Sequence, residues 1–205
     1  MLILKATKKN ITVASKIVKK GGTIIYPTET VYGLGCDPFN VDAVNNLLEI
    51  KGKRTKPFPI LAATIEDANK AAHISLDGKK IARKFWPGPL TLIFPKKPAI
   101  PDIVTFDKDS VGLRVPNNKI ALELIHLSGG LLIGSSANRT GEKPPRSIQE
   151  ISEELKDMVN VVLDGGITAQ GIPSTVVDLT LKKPRILREG SIKLEELSDV
   201  LTSST

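Results

Sequence analysis

Residues 21–35 read Gly-Gly-Thr-Ile-Ile-Tyr-Pro-Thr-Glu-Thr-Val-Tyr-Gly-Leu-Gly, which sets the hydroxyls of Thr28, Thr30 and Tyr32 and the carboxylate of Glu29 directly behind an apolar run. Such a cluster offers a polar ligand several donors and acceptors at once. Pro27 lacks an amide donor, so the preceding strand ends there or lies at an edge. Gly33 and Gly35 then allow a tight turn or the close approach of a ligand. Polar groups delivered onto a glycine-rich turn at the carboxyl end of a strand are where open α/β sheets bind ligands. An ordinary hydroxyl-rich turn has the same composition, and other segments must separate the two.

A second cluster, Lys51-Gly52-Lys53-Arg54-Thr55-Lys56, follows a helical pattern and precedes Pro57-Phe58-Pro59-Ile60-Leu61. Cations at a helix C-terminus complement its dipole and often form only a solvated face. Gly52, however, lets the chain turn so that the cations converge, and lysine with arginine suits a polyphosphate. A third segment, Leu131 to Gly141, runs from an apolar strand into Ser135-Ser136-Ala137-Asn138. Ser136 and Asn138 there either hydrogen-bond a ligand or close an Asx or Ser/Thr turn. Val111-Gly112-Leu113-Arg114-Val115-Pro116 and Arg185-Ile186-Leu187-Arg188-Glu189-Gly190 are strand-like runs that reach an arginine near their ends, and Pro173-Ser174-Thr175 brings hydroxyls into a strand. One such arginine is commonly a surface ion pair. Two of them, with the Lys/Arg cluster and three hydroxyl clusters, describe a polar cleft for a ligand bearing carboxylate and phosphate. The absence of Gly-x-x-x-x-Gly-Lys-Ser/Thr argues against a P-loop enzyme.

The elements that position these groups follow from periodicity. Helical patterns span 12–20, 40–50, 64–72, 78–85, 119–127, 148–158 and 194–201, with capping-box spacing at Thr64/Asp67 and Ser147/Glu150. Strand-like runs fall at 23–26, 60–62, 90–95, 111–114, 131–134, 159–163, 174–179 and 186–188. Their interleaving predicts one α/β domain over residues 1–205 around a mixed sheet. Prolines at 87, 89, 95, 98 and 101 oppose a regular Rossmann alternation. The polar segment 95–110 reads as a surface loop able to cover a cleft, and 202–205 as a frayed tail.

With 205 residues, 40% hydrophobic and 25% charged, the chain can bury a sizeable core. No apolar stretch approaches a bilayer span and no signal-peptide pattern opens the chain, so a cytoplasmic protein without membrane contact is expected. Cys36, the single cysteine, excludes an internal disulfide and fits a reducing compartment. His73 and His126 give it no supported Cys-His pairing, so it reads as structural rather than nucleophilic. A net charge of +7 and a pI near 9.4 favour anionic partners without choosing among nucleotides, pyrophosphate and nucleic acid. The aromatic residues are few and scattered, which does not suit an RNA-reading sheet of stacked rings, and no Cys/His metal-ligand spacing occurs.

Taken in order, these segments resemble the YrdC-type threonylcarbamoyl-adenylate synthase family. The resemblance runs from about Gly21 to Gly190; Tyr26 to Gly35 and Ser136-Ala137-Asn138 carry it most specifically, supported by Trp86 to Thr91, Val111 to Pro116 and Ser174 to Leu179. It implies a single-domain, twisted open mixed β-sheet flanked by helices, with a basic concave cleft. It also implies a nucleotidyltransferase that converts L-threonine, bicarbonate and ATP into threonylcarbamoyl-AMP and pyrophosphate for tRNA threonylcarbamoyladenosine modification. Carried over residue by residue, Thr30, Arg114 (through the carboxylate) and Ser174 (through the hydroxyl) would hold threonine. Lys51 and Arg54 would be the catalytic cations on the triphosphate, and Ser110, Ser136, Asn138 and Arg188 would hold the nucleotide. The family's Lys-x-Arg motif is one residue longer here, Lys51-Gly52-Lys53-Arg54, which leaves Lys53 or Arg54 as the second phosphate-binding cation. Ala63 stands where the family often has histidine. Magnesium is expected with ATP and no protein-ligated metal; the implied partners are a downstream threonylcarbamoyl transferase and tRNA or double-stranded RNA in the basic cleft.

Two other readings use the same charge. One is an RNA-binding module without catalysis, for which Thr30, Ser136, Asn138 and Ser174 are surplus. The other is an ATP-binding paralogue without threonine activity, which the longer Lys-Arg spacing and Ala63 favour and the intact Ser136-Ala137-Asn138 opposes.

Overall fold

The computed structural model describes residues 1–193 and 195–197. Most of the helix expected over 194–201 and all of the 202–205 tail lie outside the described residues. In chain order the elements are β1 (Leu2–Lys5), α1 (Lys8–Lys19), β2 (Ile24–Pro27), β3 (Tyr32–Gly35), α2 (Val41–Lys51), β4 (Ile60–Ala62), α3 (Ile65–Ala71), α4 (Leu76–Phe85) and β5 (Leu90–Pro95). They continue with α5 (Asp102–Thr105), β6 (Ser110–Arg114), α6 (Lys119–Leu127), β7 (Leu131–Ile133), β8 (Ser135–Ser136), α7 (Glu153–Asp157), β9 (Val161–Asp164), β10 (Thr175–Asp178) and β11 (Arg185–Arg188). Thr7, Asn40, Thr64, Ser75 and Asn118 start α1, α2, α3, α4 and α6, each accepting from an amide of the first turn that would otherwise lack a partner. Among the described residues no helix is long and apolar enough to cross a membrane.

The α/β class and the mixed pairing are as expected, but the strands divide between two sheets. One has the order β1-β9-β2-β3-β8, the other β11-β10-β5-β6-β4-β7. Both sheets are mixed: in the first, β9 pairs β1 and β2 in parallel while β3 pairs β2 and β8 antiparallel, and in the second antiparallel and parallel pairs alternate from β11 to β7. The chain passes directly from β7 in the second sheet to β8 in the first through Gly134, where a Cβ would lie 2.4 Å from Leu61 Cγ. The Tyr26 hydroxyl also spans the two, donating to the Ile133 carbonyl at 2.9 Å.

The larger core contains Leu34, Cys36, Leu47, Phe58, Leu92, Phe94 and Leu113; a smaller one gathers Val18, Ile24 and Leu132 beneath α1 and α6. Three local expectations are corrected. Gly33 and Gly35 form no turn but lie in β3, where closeness of neighbours demands glycine: a Cβ on Gly35 would sit 1.8 Å from the Ile133 carbonyl oxygen. The 148–158 pattern breaks into a 3-10 turn at Ile148–Glu150 and α7; Ser147 makes no side-chain cap, and Glu150 instead accepts from the Arg146 amide. Segment 95–110 contains α5 and buries Ile100, Val104 and Thr105, so it is anchored to the core, with Lys108 and Ser110 reaching the cavity described next.

Candidate active site

Between Pro27 and Tyr32, which pair across β2 and β3, the chain forms a loop of Thr28, Glu29, Thr30 and Val31. Thr28 closes it: its Oγ1 donates to the Val31 carbonyl at 2.7 Å and accepts from the amides of Thr30 and Val31. The segment after β9 grips the loop from outside, with Gln170 N–H on the Glu29 carbonyl at 3.0 Å and Gly171 N–H on the Thr30 carbonyl at 2.8 Å. The backbone that presents Glu29 and Thr30 is therefore held from both sides.

Arg114, at the end of β6 in the other sheet, reaches this loop. Its Nη2 lies 2.6 Å from Glu29 Oε1, with both side chains over nine-tenths buried. Nη1 and Nη2 each lie 3.2 Å from Thr30 Oγ1, and Nε donates to the Gly88 carbonyl at 3.0 Å. Among the described residues neither Glu29 oxygen has a hydrogen-bond donor in good geometry, so the arginine charge is what compensates this buried carboxylate. The guanidinium is fixed in place by anchors from the β2–β3 loop and from the segment before β5.

Ser174, just before β10, sits on the same wall. Its Oγ is 2.8 Å from Thr91 Oγ1 on β5. Arg188 on β11 donates Nε and Nη2 to the Ser174 carbonyl at 3.0 and 2.8 Å, and Nη2 also reaches Ser174 Oγ at 3.1 Å. Burial, then the nearby Arg114 charge, pushes the Arg188 guanidinium below its ordinary range.

The Lys/Arg cluster splits. Arg54 lies 4.4 Å over the Phe58 ring, donates to the Pro57 carbonyl at 2.7 Å and to Ser135 Oγ at 3.3 Å, and keeps a buried Nε without a partner among the described residues. Burial lowers it to about 10, so it stays charged at neutral pH. Lys51, at the C-terminus of α2, turns away from solvent: Nζ donates to the Ser136 carbonyl at 2.9 Å, to Asn138 Oδ1 at 3.3 Å and to the Asn138 carbonyl. Burial, then the Arg54 charge, lowers it to about 8 against the opposing pull of Glu142. Lys53 is exposed. Cys36 is buried and its thiol is pushed up to about 12 by burial, then by Asp37, which suits packing and not nucleophilic attack.

A cavity of about 620 Å³ joins these groups. Thr30, Arg54, Ser110, Arg114, Ser136, Ser174 and Arg188 line it; Lys51, Lys53, Asn138 and Ala63 do not. Lys51 and Asn138 stand behind the wall and hold Ser136, the Ser136 hydroxyl donating to Asn138 Oδ1. The Ala63 amide donates to the Gly130 carbonyl. Among the described residues six cations line the cavity against the single acid Asp178. Of these, sequence reasoning missed Lys108 and named Lys56 and Arg185 in their segments without a role of their own. It also passed over Thr91, visible in Trp86 to Thr91, and the ion-pair role of Glu29, visible in the first hydroxyl cluster. Pro57, Phe58 and Leu61 supply an apolar side. Cations, hydroxyls and an apolar face around one concavity suit an anionic small molecule with an organic part.

Known proteins share this architecture. The threonylcarbamoyl-AMP synthase of Pyrococcus abyssi (strain GE5 / Orsay) is 38% identical over 193 residues, which are 93% of this chain and 57% of that protein. The threonylcarbamoyl-AMP synthase of Coxiella burnetii (strain RSA 493 / Nine Mile phase I) is 37% identical over 172 residues, 83% of this chain and 92% of the relative. The crystal structure of P. abyssi Sua5 complexed with L-threonine superposes with a TM-score of 0.94 at 36% identity, covering 98% of this chain and 61% of that one. Residues 16–190, from α1 to the glycine after β11, match the Sua5/YciO/YrdC family model, described as telomere recombination, and the chain belongs to that family.

Proposed function

We propose that the protein is a threonylcarbamoyl-AMP synthase, a nucleotidyltransferase acting on L-threonine, bicarbonate and ATP. The observation that carries this reading is a cavity in which a fixed arginine, paired hydroxyls and further cations meet. Relatives carrying that name, and the Sua5 structure holding L-threonine, support it. In this reading Arg114 takes the amino acid carboxylate and the Ser174 side faces its hydroxyl. Arg54, with Lys56, Lys108, Arg185 and Arg188 around it, takes the triphosphate, and Ser110 and Ser136 take the nucleotide. Lys51 and Asn138 shape the Ser136 segment rather than touch the ligand.

The chemistry needs no protein nucleophile. The threonine nitrogen attacks the carbon of bicarbonate, losing a proton and expelling the elements of water to give a carbamate. A carbamate oxygen then attacks the α-phosphorus, and the bond to the β-phosphate oxygen breaks to release pyrophosphate. Every participant is an anion or becomes one, so the barrier is largely one of assembly against repulsion, which fixed cations lower. Among the described residues no group of His, Cys, Asp or Glu side chains is placed to cage a metal, and magnesium would enter with the triphosphate oxygens and water as its ligands. The product is a reactive mixed anhydride that a threonylcarbamoyl transferase would consume in modifying tRNA.

The test is pyrophosphate release from ATP, magnesium and bicarbonate, with and without L-threonine. Release that requires both threonine and bicarbonate, with threonylcarbamoyl-AMP in the mass spectrum, is the expected result. A folded protein that binds ATP but forms no product would refute the synthase reading.

A further inference from the structure

We propose that Thr91, acting with Ser174, is a specificity-determining residue that selects a β-hydroxyl amino acid; the inference rests on the synthase reading. Thr91 and Ser174 both line the cavity, are both at least nine-tenths buried, and share one hydrogen bond. Two hydroxyls carry two protons, and a single shared bond uses one. Whichever oxygen donates, one O–H remains, and among the described residues the hydrogen-bond partners of the two hydroxyls are each other and Arg188, which only donates. If Thr91 donates to Ser174, the Ser174 oxygen holds two incoming donors and its own proton is left for the cavity. If the direction is reversed, the Thr91 proton is left there instead.

Thr30 does not offer the same. Thr28 commits its proton to the Val31 carbonyl, so in the 2.9 Å contact between Thr28 and Thr30 the donor is Thr30. The Thr30 oxygen meanwhile accepts from both terminal nitrogens of Arg114. Its hydroxyl is fully engaged, whereas the Thr91–Ser174 pair still has a donor and a lone pair to give.

The orientation of Thr91 is fixed by packing. A Cβ on Gly112 would approach Thr91 Cγ2 to 3.2 Å, so the methyl lies against the Gly112 backbone of β6 and the hydroxyl points to Ser174. A β-branched side chain is restricted at χ1, which helps keep the hydroxyl on that side. A ligand alcohol satisfies the spare donor and lone pair together; a ligand methyl satisfies neither and strands a buried O–H.

The experiment is calorimetric titration of wild type, Thr91→Val and Thr91→Ser with L-threonine, L-2-aminobutyrate and L-valine. Wild type is expected to favour threonine over both analogues. Thr91→Val, which keeps the shape, should lose about tenfold or more of that preference, while Thr91→Ser, which keeps the hydroxyl, should retain most of it. Thr91→Val with the wild-type preference would overturn the inference. So would a Thr91→Ser variant impaired like Thr91→Val, since the methyl would then be what matters. Wild type binding threonine and 2-aminobutyrate equally would also overturn it while leaving the synthase reading standing; wild type binding no amino acid would overturn both.

Discussion

The Glu29–Arg114 pair lets stability be separated from ligand recognition. Arg114→Met leaves a carboxylate over nine-tenths buried without its counter-charge, and also removes the bonds to the Gly88 carbonyl and Thr30. Breaking a buried pair from one side costs about 3–5 kcal/mol. For a chain of this length each kcal/mol moves the melting temperature by about 2–4 °C, so a fall of about 6–20 °C is expected. Glu29→Gln in the same chain removes the stranded charge at almost constant shape. The double variant should therefore melt at least about 5 °C above Arg114→Met, because much of the single-variant loss is desolvated charge rather than lost packing. L-threonine binding should be absent from both variants, since neither has a guanidinium. Circular dichroism melts and calorimetric titration read the two effects independently. A double variant that melts no higher than Arg114→Met would refute the stranded-charge account, and one that binds threonine normally would refute the role given to Arg114.

Arg54→Ala should weaken ATP binding by about ten- to a hundredfold, the worth of a charge-assisted contact, while Lys53→Ala leaves it nearly unchanged; equal losses in a titration would place the exposed lysine in the site. Lys51 is held down to about 8 in the folded chain, so above that value the unfolded chain binds a proton that the folded chain lacks. Its contribution to stability should rise with pH from about 8 to the ordinary lysine value near 10.4 and fall away as the pH drops through 8. The melting-temperature difference between wild type and Lys51→Met should move in favour of wild type between pH 7 and 10, and a constant difference would contradict the burial of that charge. Gly35→Ala forces a Cβ to within 1.8 Å of the Ile133 carbonyl oxygen, a backbone atom that cannot swing aside. Overpacking of this kind costs about 1–3 kcal/mol or more, so an unchanged melt would show that the two strands are further apart than described.

Legibility in the sequence followed the range of the forces involved. The bounds of β5 and α6 match the hydrophobic periodicity because local pattern and tertiary packing ask for the same residues there. β3 was missed because Gly33 and Gly35 look like turn residues, and only the approach of Tyr26 and Ile133 from other strands makes glycine necessary in an extended segment. Thr30, Arg114 and Ser174 were legible as polar residues at strand ends. The direction of Lys51 was not: its charge suggests solvent or phosphate, and the three oxygens it meets come from residues 136–138, distant in sequence. Lys108 carried no signal of its own in the polar segment 95–110, and only the tertiary fold brings it to one cavity with Lys56 and Arg185.

Residues 131–136 serve both sheets, Leu131 to Ile133 pairing with β4 and Ser135-Ser136 with β3. Neither sheet can therefore lose this stretch alone: fraying β7 pulls on β8 through Gly134, and the Tyr26 bond to Ile133 crosses the same junction. The cavity wall is thereby part of one cooperative opening unit instead of a seam between two independently melting halves. Amide exchange in β3 and in β4 would be governed by a shared opening event, and a ligand that bridges Ser136 and Arg114 would slow both together.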